Sequence, residues 1–324
     1  MRRAAYALLA SALLSVLPLR ADVVVYGSGD GADVAPRLHG PVLILAGGGG
    51  DVDDGMQAAI DRIRGCADCD AEIDVAVIRA SGADGYNPWF MERDGVDSVI
   101  SMVITDRDSA ARPDLVRAVA EAELVFFAGG DQCNYVRWIK GTPMADAVKS
   151  VYDRGGAVGG SSAGLAIQGE LAYDACPDQS AQSAVVLLDP FHVDVSVSRD
   201  FFAWAPLRGI ITDTHFQQRD RLGRLVVFMA RSEDVRPLTG LGISEATIVL
   251  VDREGKAEVF GKGPAHLVVA GGRAAVLAKG TPLTFRGLRI ARFESGERFD
   301  LHDPPAARFK PLDAVGGTLS ANPY

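Results

Sequence analysis

The 324 residues predict an α/β fold, a mostly parallel, doubly wound sheet with antiparallel strands appended at the C-terminal end. Two observations carry this. Between residues 41 and 251, apolar runs of strand length alternate with helical patterns, which calls for parallel strands joined by crossover helices. After residue 246, short alternating runs flank turn residues, Arg253-Glu254-Gly255-Lys256 and Gly271-Gly272-Arg273, as hairpins do.

Arg2-Arg3, an apolar stretch over 4–19 broken by Pro18, and Leu19-Arg20-Ala21 before Asp22 have the three-part layout of a secretory signal. The stretch is shorter than the about 20 apolar residues of a membrane anchor. Residues 1–21 are therefore expected to be removed on export to the periplasm or beyond, leaving no membrane association. Val42-Leu43-Ile44-Leu45-Ala46 then reads as a buried strand, followed by Gly47-Gly48-Gly49-Gly50 and a helix with Met56, Ala59, Ile60 and Ile63 on one face. Strands at 73–78 and 98–104 enclose a helix carrying Trp89 and Phe90. A strand at 124–128 runs into Gly129-Gly130-Asp131-Gln132, and a helix with Met144, Val148, Val151 and Tyr152 on its inner face ends at Gly155-Gly156. Residues 157–159 form a short strand and 163–169 begin the next helix. No linker or repeat divides residues 22–324, which are expected to be one domain: an α/β core over about 41–251, a β extension over about 252–302, and a loosely ordered tail at 303–324 with four prolines. The 274–278 run is expected to form a hairpin with 266–270.

A net charge of −9, with no basic run longer than Arg2-Arg3, lacks the cationic surface that nucleic acid requires. Loss of Arg2, Arg3 and Arg20 with the signal takes the charge to −12, which favours cationic partners. Cys66-Ala67-Asp68-Cys69 has the gap of a redox or metal pair, but no second such pair and no nearby histidine, so zinc is not expected. Either a local disulfide, as an oxidising compartment favours, or two free loop thiols, as so short a ring favours, fits the spacing. No His/Asp/Glu group has metal-ligand spacing, and no cofactor is expected; a homo-oligomer is compatible with the sequence.

Gly160-x-Ser162-x-Gly164 has the spacing of a nucleophile elbow, in which glycines at −2 and +2 let a strand turn sharply into a helix and lift the serine hydroxyl above the sheet. The spacing selects Ser162 over Ser161, and the next backbone N–H, on Ala163, is placed to be one oxyanion donor. The Gly47 to Gly50 run allows a phosphate cradle between strand and helix, but lacks the Lys-Ser/Thr of a P-loop and the spacing of a dinucleotide site. A serine needs a base. Of His39, His192, His215, His266 and His302, His215 is best placed, because it follows the strand Ile210-Ile211-Thr212-Asp213 and so stands at the carboxyl edge of the sheet. His192 is the reserve candidate.

Three ordered motifs, Phe127-Ala128-Gly129-Gly130-Asp131-Gln132, Gly159-Gly160-Ser161-Ser162-Ala163-Gly164, and residues 213–225 (Asp213-Thr214-His215-Phe216-Gln217-Gln218-Arg219-Asp220-Arg221-Leu222-Gly223-Arg224-Leu225), resemble the cyanophycinase and aspartyl dipeptidase (peptidase E) family of serine peptidases, including exported bacterial cyanophycinases. The likeness spans about residues 41–251. It implies a class I glutamine amidotransferase-like fold with serine where those glutaminases use cysteine, and cleavage next to aspartyl residues. It implies Ser162 as nucleophile, His215 as base and Gly130 as the second oxyanion donor. A carboxylate must orient the base, and Glu245 in Leu241-Gly242-Ile243-Ser244-Glu245 stands at a strand end; Asp174 and Asp178, shortly after the serine, are the rival acids. The resemblance further implies substrate contacts by Gln132, Asp213, Arg219, Arg221 and Arg224, the guanidinium forks gripping aspartyl carboxylates and Asp213 a substrate arginine. Read alone, these arginines would be a solvated helix face behind the buried stripe of Leu222, Leu225, Val226 and Met229. Thr214 stands where cyanophycinases have glutamine. The expected partner is thus a peptide or polypeptide, with three functions in view: cyanophycin cleavage to β-Asp-Arg dipeptide, cleavage of short aspartyl or isoaspartyl peptides, and peptide binding without catalysis.

Overall fold

The computed structural model describes residues 23–324 except 178, 233, 236, 237 and 323. The expected signal, residues 1–21, and the rival acid Asp178 lie outside the described residues. In chain order the strands are β1 (Val25–Gly29), β2 (Val42–Ala46), β3 (Ile73–Arg79), β4 (Val96–Val103), β5 (Leu124–Phe127), β6 (Ala157–Ser161), β7 (Leu171–Tyr173), β8 (Val197–Arg199), β9 (Ile210–Asp213), β10 (Thr239–Ile243), β11 (Thr247–Asp252), β12 (Lys256–Gly261), β13 (Ala265–Ala270), β14 (Val276–Ala278), β15 (Thr281–Phe293), β16 (Arg298–Asp300), β17 (Lys310–Val315) and β18 (Thr318–Leu319). The helices are α1 (Asp53–Arg64), α2 (Tyr86–Met91), α3 (Pro113–Glu121), α4 (Gln132–Trp138), α5 (Pro143–Asp153), α6 (Ala163–Ala166), α7 (Ser183–Leu188) and α8 (Leu222–Arg231).

The α/β class holds, but the strands divide between two sheets. The first runs β1-β4-β3-β5-β6-β2-β11-β12-β16, parallel from β4 to β2; the second runs β18-β17-β15-β13-β10-β9-β7-β8, parallel across β7, β9 and β10. The division begins after β6. A crossover back to the same sheet needs a dozen or more residues, whereas α6 has only four and β7 starts soon after it.

Alternation along β2 explains the double winding. Val42, Ile44 and Ala46 join Met56, Ile60 and Phe90 on the α1/α2 face, while Leu43 and Leu45 join Leu115 and Val148 on the α3/α5 face. That second cluster continues through Val249 and Val259 of the first sheet to Leu241, Leu267 and Phe293 of the second, so the sheets share one apolar layer. The other face of the second sheet is closed by α7 and α8, with Leu187, Leu225 and Phe228 against Ile211, Leu288 and Leu312.

Three expectations change. The tail expected to be loose carries a strand: β17 pairs with β15 and buries Leu312 and Ala314, an alternation the prolines concealed. β13 and β14 do not form a hairpin together, because the thirteen-residue β15 offers a longer apolar partner to both. Helix α6 ends at Ala166, short of the expected 169. Cys66 and Cys69 are disulfide-bonded to each other, and Cys133 bonds Cys176, a pairing that no spacing announced.

Candidate functional site

The carboxyl ends of β2, β5 and β6 meet those of β9 and β10 along one seam. On the first sheet, β6 ends at Ser161 and Ser162 turns abruptly, with φ 54° and ψ −110°, a conformation L-residues rarely adopt. Glycines permit this turn. A Cβ on Gly160 or Gly164 would lie 2.4 or 2.1 Å from the Phe127 carbonyl oxygen. The Ser162 N–H donates to the Ala46 carbonyl at 3.0 Å, fastening the turn to β2.

On the second sheet, β9 delivers His215 at its edge. Ser162 Oγ is 2.7 Å from His215 Nε2, and His215 Nδ1 is 2.6 Å from Glu245 Oε1. Glu245 lies in the link by which the chain passes from β10 in the second sheet to β11 in the first. His215 is itself in the left-handed region, φ 46°, and donates its N–H to Gly47 O at 2.8 Å; Ala246, φ 50°, donates to Gly48 O at 2.8 Å. Gly48 and Gly49 close over the pair. A Cβ on Gly48 would come within 2.5 Å of the His215 ring, and one on Gly49 within 2.5 Å of the Glu245 carboxylate. Gly47 and Gly48 thus present carbonyls to the His215 and Ala246 N–H groups, which is the opposite polarity to the row of N–H donors a phosphate cradle needs.

Burial lowers the His215 pKa from its ordinary value. The Glu245 hydrogen bond and charge oppose that shift, while Arg219 and Arg221 add to it. The ring is therefore neutral at pH 7, with Nδ1–H donating to Glu245 and the Nε2 lone pair facing the serine hydroxyl. Of the rival acids, Asp174 is already engaged, accepting from Cys176 N at 3.1 Å and Ser198 Oγ at 2.5 Å. His192 pairs with Asp194, and His266 is buried in the second sheet.

The turn Gly129-Gly130 lies against Ser162: a Cβ on Gly129 would be 3.6 Å from Ser162 Cβ, and Gly130 has φ +143°. Ala163 opens α6 directly after the serine. Gln132 opens α4, its amide nitrogen 3.5 Å from the Tyr173 carbonyl.

The charged residues of the third motif sort into two groups. Arg224 and Asp213 hold each other. Arg224 donates from Nε to Asp213 Oδ2 at 2.8 Å and from Nη2 to Oδ1 at 2.5 Å, reaches Ser180 Oγ at 2.9 Å, and lies over the Tyr173 ring at 4.7 Å. Each is 2% exposed, so in this state neither presents a free fork or carboxylate. Arg221 donates to Thr214 O and Oγ1 at 2.9 and 2.8 Å, and burial pushes its pKa down to about 10. Arg219 alone of the three faces solvent, its side chain 54% exposed and 3.7 Å from Glu245.

Sequence reasoning missed the far wall. The Tyr86 hydroxyl donates to Asp51 Oδ1 at 3.3 Å and lies beside Ser161, and burial pushes its pKa up to about 12. The Arg79 guanidinium lies over the Tyr86 ring at 5.7 Å. Arg79 is the last residue of a parallel strand, where α/β sheets keep their sites, and that position was the available signal.

No protein-family model matches the chain. It is 24% identical over 271 residues to the cyanophycinase of Synechococcus elongatus, covering 81% of this chain and 80% of that one. It is 25% identical over 283 residues to the cyanophycinase of Geminocystis herdmanii, covering 83% of this chain and 97% of that one. A solved peptidase from an acI-B1 actinobacterium matches 82% of this chain and 99% of its own with a TM-score of 0.56 at 15% identity, a likeness of fold. Relatives of one name along most of the chain and a shared fold agree with the three motifs at one seam: the chain is similar to cyanophycinases in sequence and to a peptidase in fold, which supports a peptidase of the cyanophycinase/peptidase E kind.

Proposed function

We propose that this peptidase is an exported serine exopeptidase that cleaves peptide bonds next to aspartyl residues, with cyanophycin as its polymeric substrate. The observation that carries the reading is the unbroken relay from Ser162 Oγ to His215 at 2.7 Å and from His215 to Glu245 at 2.6 Å. Ser162 attacks the aspartyl carbonyl as His215 Nε2 takes its proton, and Glu245 stabilises the imidazolium. The tetrahedral oxygen is received by the N–H groups of Gly130 and Ala163. His215 returns the proton to the leaving amine, and a water activated by the same ring then clears the acyl-enzyme. Arg219, with Gln132 beside the turn, meets the substrate's carboxylates; Arg221, Asp213 and Arg224 support that surface from below. Two disulfides and the signal-like residues 1–21 support export.

The test is digestion of cyanophycin by purified protein with mass-spectrometric detection of β-Asp-Arg. Release by the wild type and none by Ser162→Ala is the expected result; equal release by both would remove the serine from the mechanism. One observation favours a second reading, short aspartyl or isoaspartyl peptides. Thr214 replaces the family's glutamine and its hydroxyl is engaged by Arg221, so it offers no amide to a polymer. Turnover of Asp-X or β-Asp-X dipeptides with cyanophycin left intact would select that reading.

A further inference from the structure

The oxyanion turn and the base belong to different sheets, and one covalent bond besides the main chain joins their edges: Cys133 is the second residue of α4, beyond β5, and Cys176 lies just past β7. We propose that the Cys133–Cys176 disulfide is a positioning bond for catalysis, holding the Gly130 turn in register with His215. This deepens the serine-peptidase reading and rests on it.

The turn is tight on the first-sheet side. Cys133 N donates to Asp131 Oδ1 at 2.8 Å, so Gly130 to Cys133 moves as one unit. The seven residues of α4 are too few to hold a helix by themselves; Tyr135 ties it to its own sheet through Ala128 O at 2.8 Å, and the disulfide, Cα–Cα 4.8 Å, ties it to the other. On the second-sheet side Cys176 is fixed by Asp174, which also grips Ser198 of β8. A few residues on, Ser180 Oγ and Ala181 O accept from Arg224, whose fork holds Asp213, two residues before His215. More directly, β7 ends three residues before Cys176 and pairs with β9, the strand that delivers His215, so the bond closes a path from oxyanion turn to base. A disulfide that only closes a loop stabilises the fold and leaves turnover alone. One that sets the spacing between two halves of a site changes the chemical step, where displacement of about 1 Å costs about a hundredfold.

The test uses the full chain with Cys66→Ser/Cys69→Ser, leaving one disulfide. Dithiothreitol transfers two electrons and two protons to the bond, giving two thiols and its own cyclic disulfide; oxidised glutathione takes them back as two reduced glutathiones. The readout is labelling of Ser162 by a fluorophosphonate, which needs base and oxyanion hole but no knowledge of the substrate. On reduction the limiting labelling rate should fall about tenfold to a hundredfold. The half-saturating probe concentration and the circular dichroism should stay as they were, and reoxidation should restore the rate. Cys133→Ser/Cys176→Ser should match the reduced state and ignore reductant. An unchanged limiting rate after thiol titration confirms reduction, free thiols at 133 and 176 in protein purified from an oxidising compartment, or loss of labelling only in step with unfolding would each overturn the proposal. A probe that labels wild type no faster than Ser162→Ala would instead overturn the serine reading, and this proposal with it.

Discussion

On the first sheet Ser162 is held almost entirely by backbone: its N–H bonds Ala46 O, glycines at 160 and 164 make room for the turn, and Gly129-Gly130 lies against its side chain. On the second sheet His215 is surrounded by charge: Glu245 on Nδ1, Arg219 and Arg221 nearby, and a buried Asp213–Arg224 pair beneath. The difference teaches which failures to expect. The glycine half fails by collision, abruptly and without regard to pH, whereas the charged half fails by desolvation and titration.

The largest effect should come from Ser162→Ala, which removes the one reacting atom of the backbone-held half and is expected to lower aspartyl-peptide hydrolysis by about four orders of magnitude or more in steady-state assays. Next, Asp213→Asn strands the buried Arg224 guanidinium, so urea unfolding should report a loss of about 3–5 kcal/mol, with Arg224→Met similarly damaging. If both changes leave stability intact, the charged half is not held as described. Gly48→Ala drives a methyl into the His215 ring while leaving every charge in place; kcat should drop about a hundredfold with the pH profile unmoved.

Two smaller effects concern protons. His266 is wholly buried beside Phe216 with neither ring nitrogen bonded, and burial lowers its pKa to about 4. The folded chain binds that proton less readily than the unfolded one, so stability is complete above the ordinary value near 6.5 and is lost as pH falls through 6.5 towards 4, on the order of 2 kcal/mol at pH 5. His266→Leu should flatten that part of a stability-versus-pH curve measured by denaturant. Finally, the acid limb of kcat/KM should have its midpoint below 6.5, following neutral His215. Arg219→Met, by removing a charge that lowers that pKa, should move the limb to higher pH, and an unmoved limb would mean that solvent screens Arg219 from the ring.

Much of the fold was legible because its elements are locally redundant. The uninterrupted Val42 to Ala46 run, the Met56–Ile63 stripe and the Gly160-x-Ser162-x-Gly164 spacing each state a backbone preference within a few residues. The split into two sheets was hidden, since strand partnership depends on whether α6 is long enough to cross back. Tail strand β17 was hidden because Pro311 beside Leu312 and Ala314 reads as a loop until β15 offers a partner. In the site, the motifs brought Ser162, His215, Glu245 and the Gly129-Gly130 turn to attention. They did not reveal that Asp213 and Arg224 grip each other, since a sequence lists two charges without saying whether either faces water.

By itself, then, the sequence determined what local chemistry encodes: α/β alternation, the glycine-flanked serine turn, and a histidine and a glutamate at strand ends. Only the tertiary structure decided which sheet each strand joined, that Cys133 meets Cys176, and that the Gly47 and Gly48 carbonyls accept from His215 and Ala246. Those outcomes depend on distances between residues far apart in the chain, and such distances follow from how two sheets pack, which no short window of residues specifies.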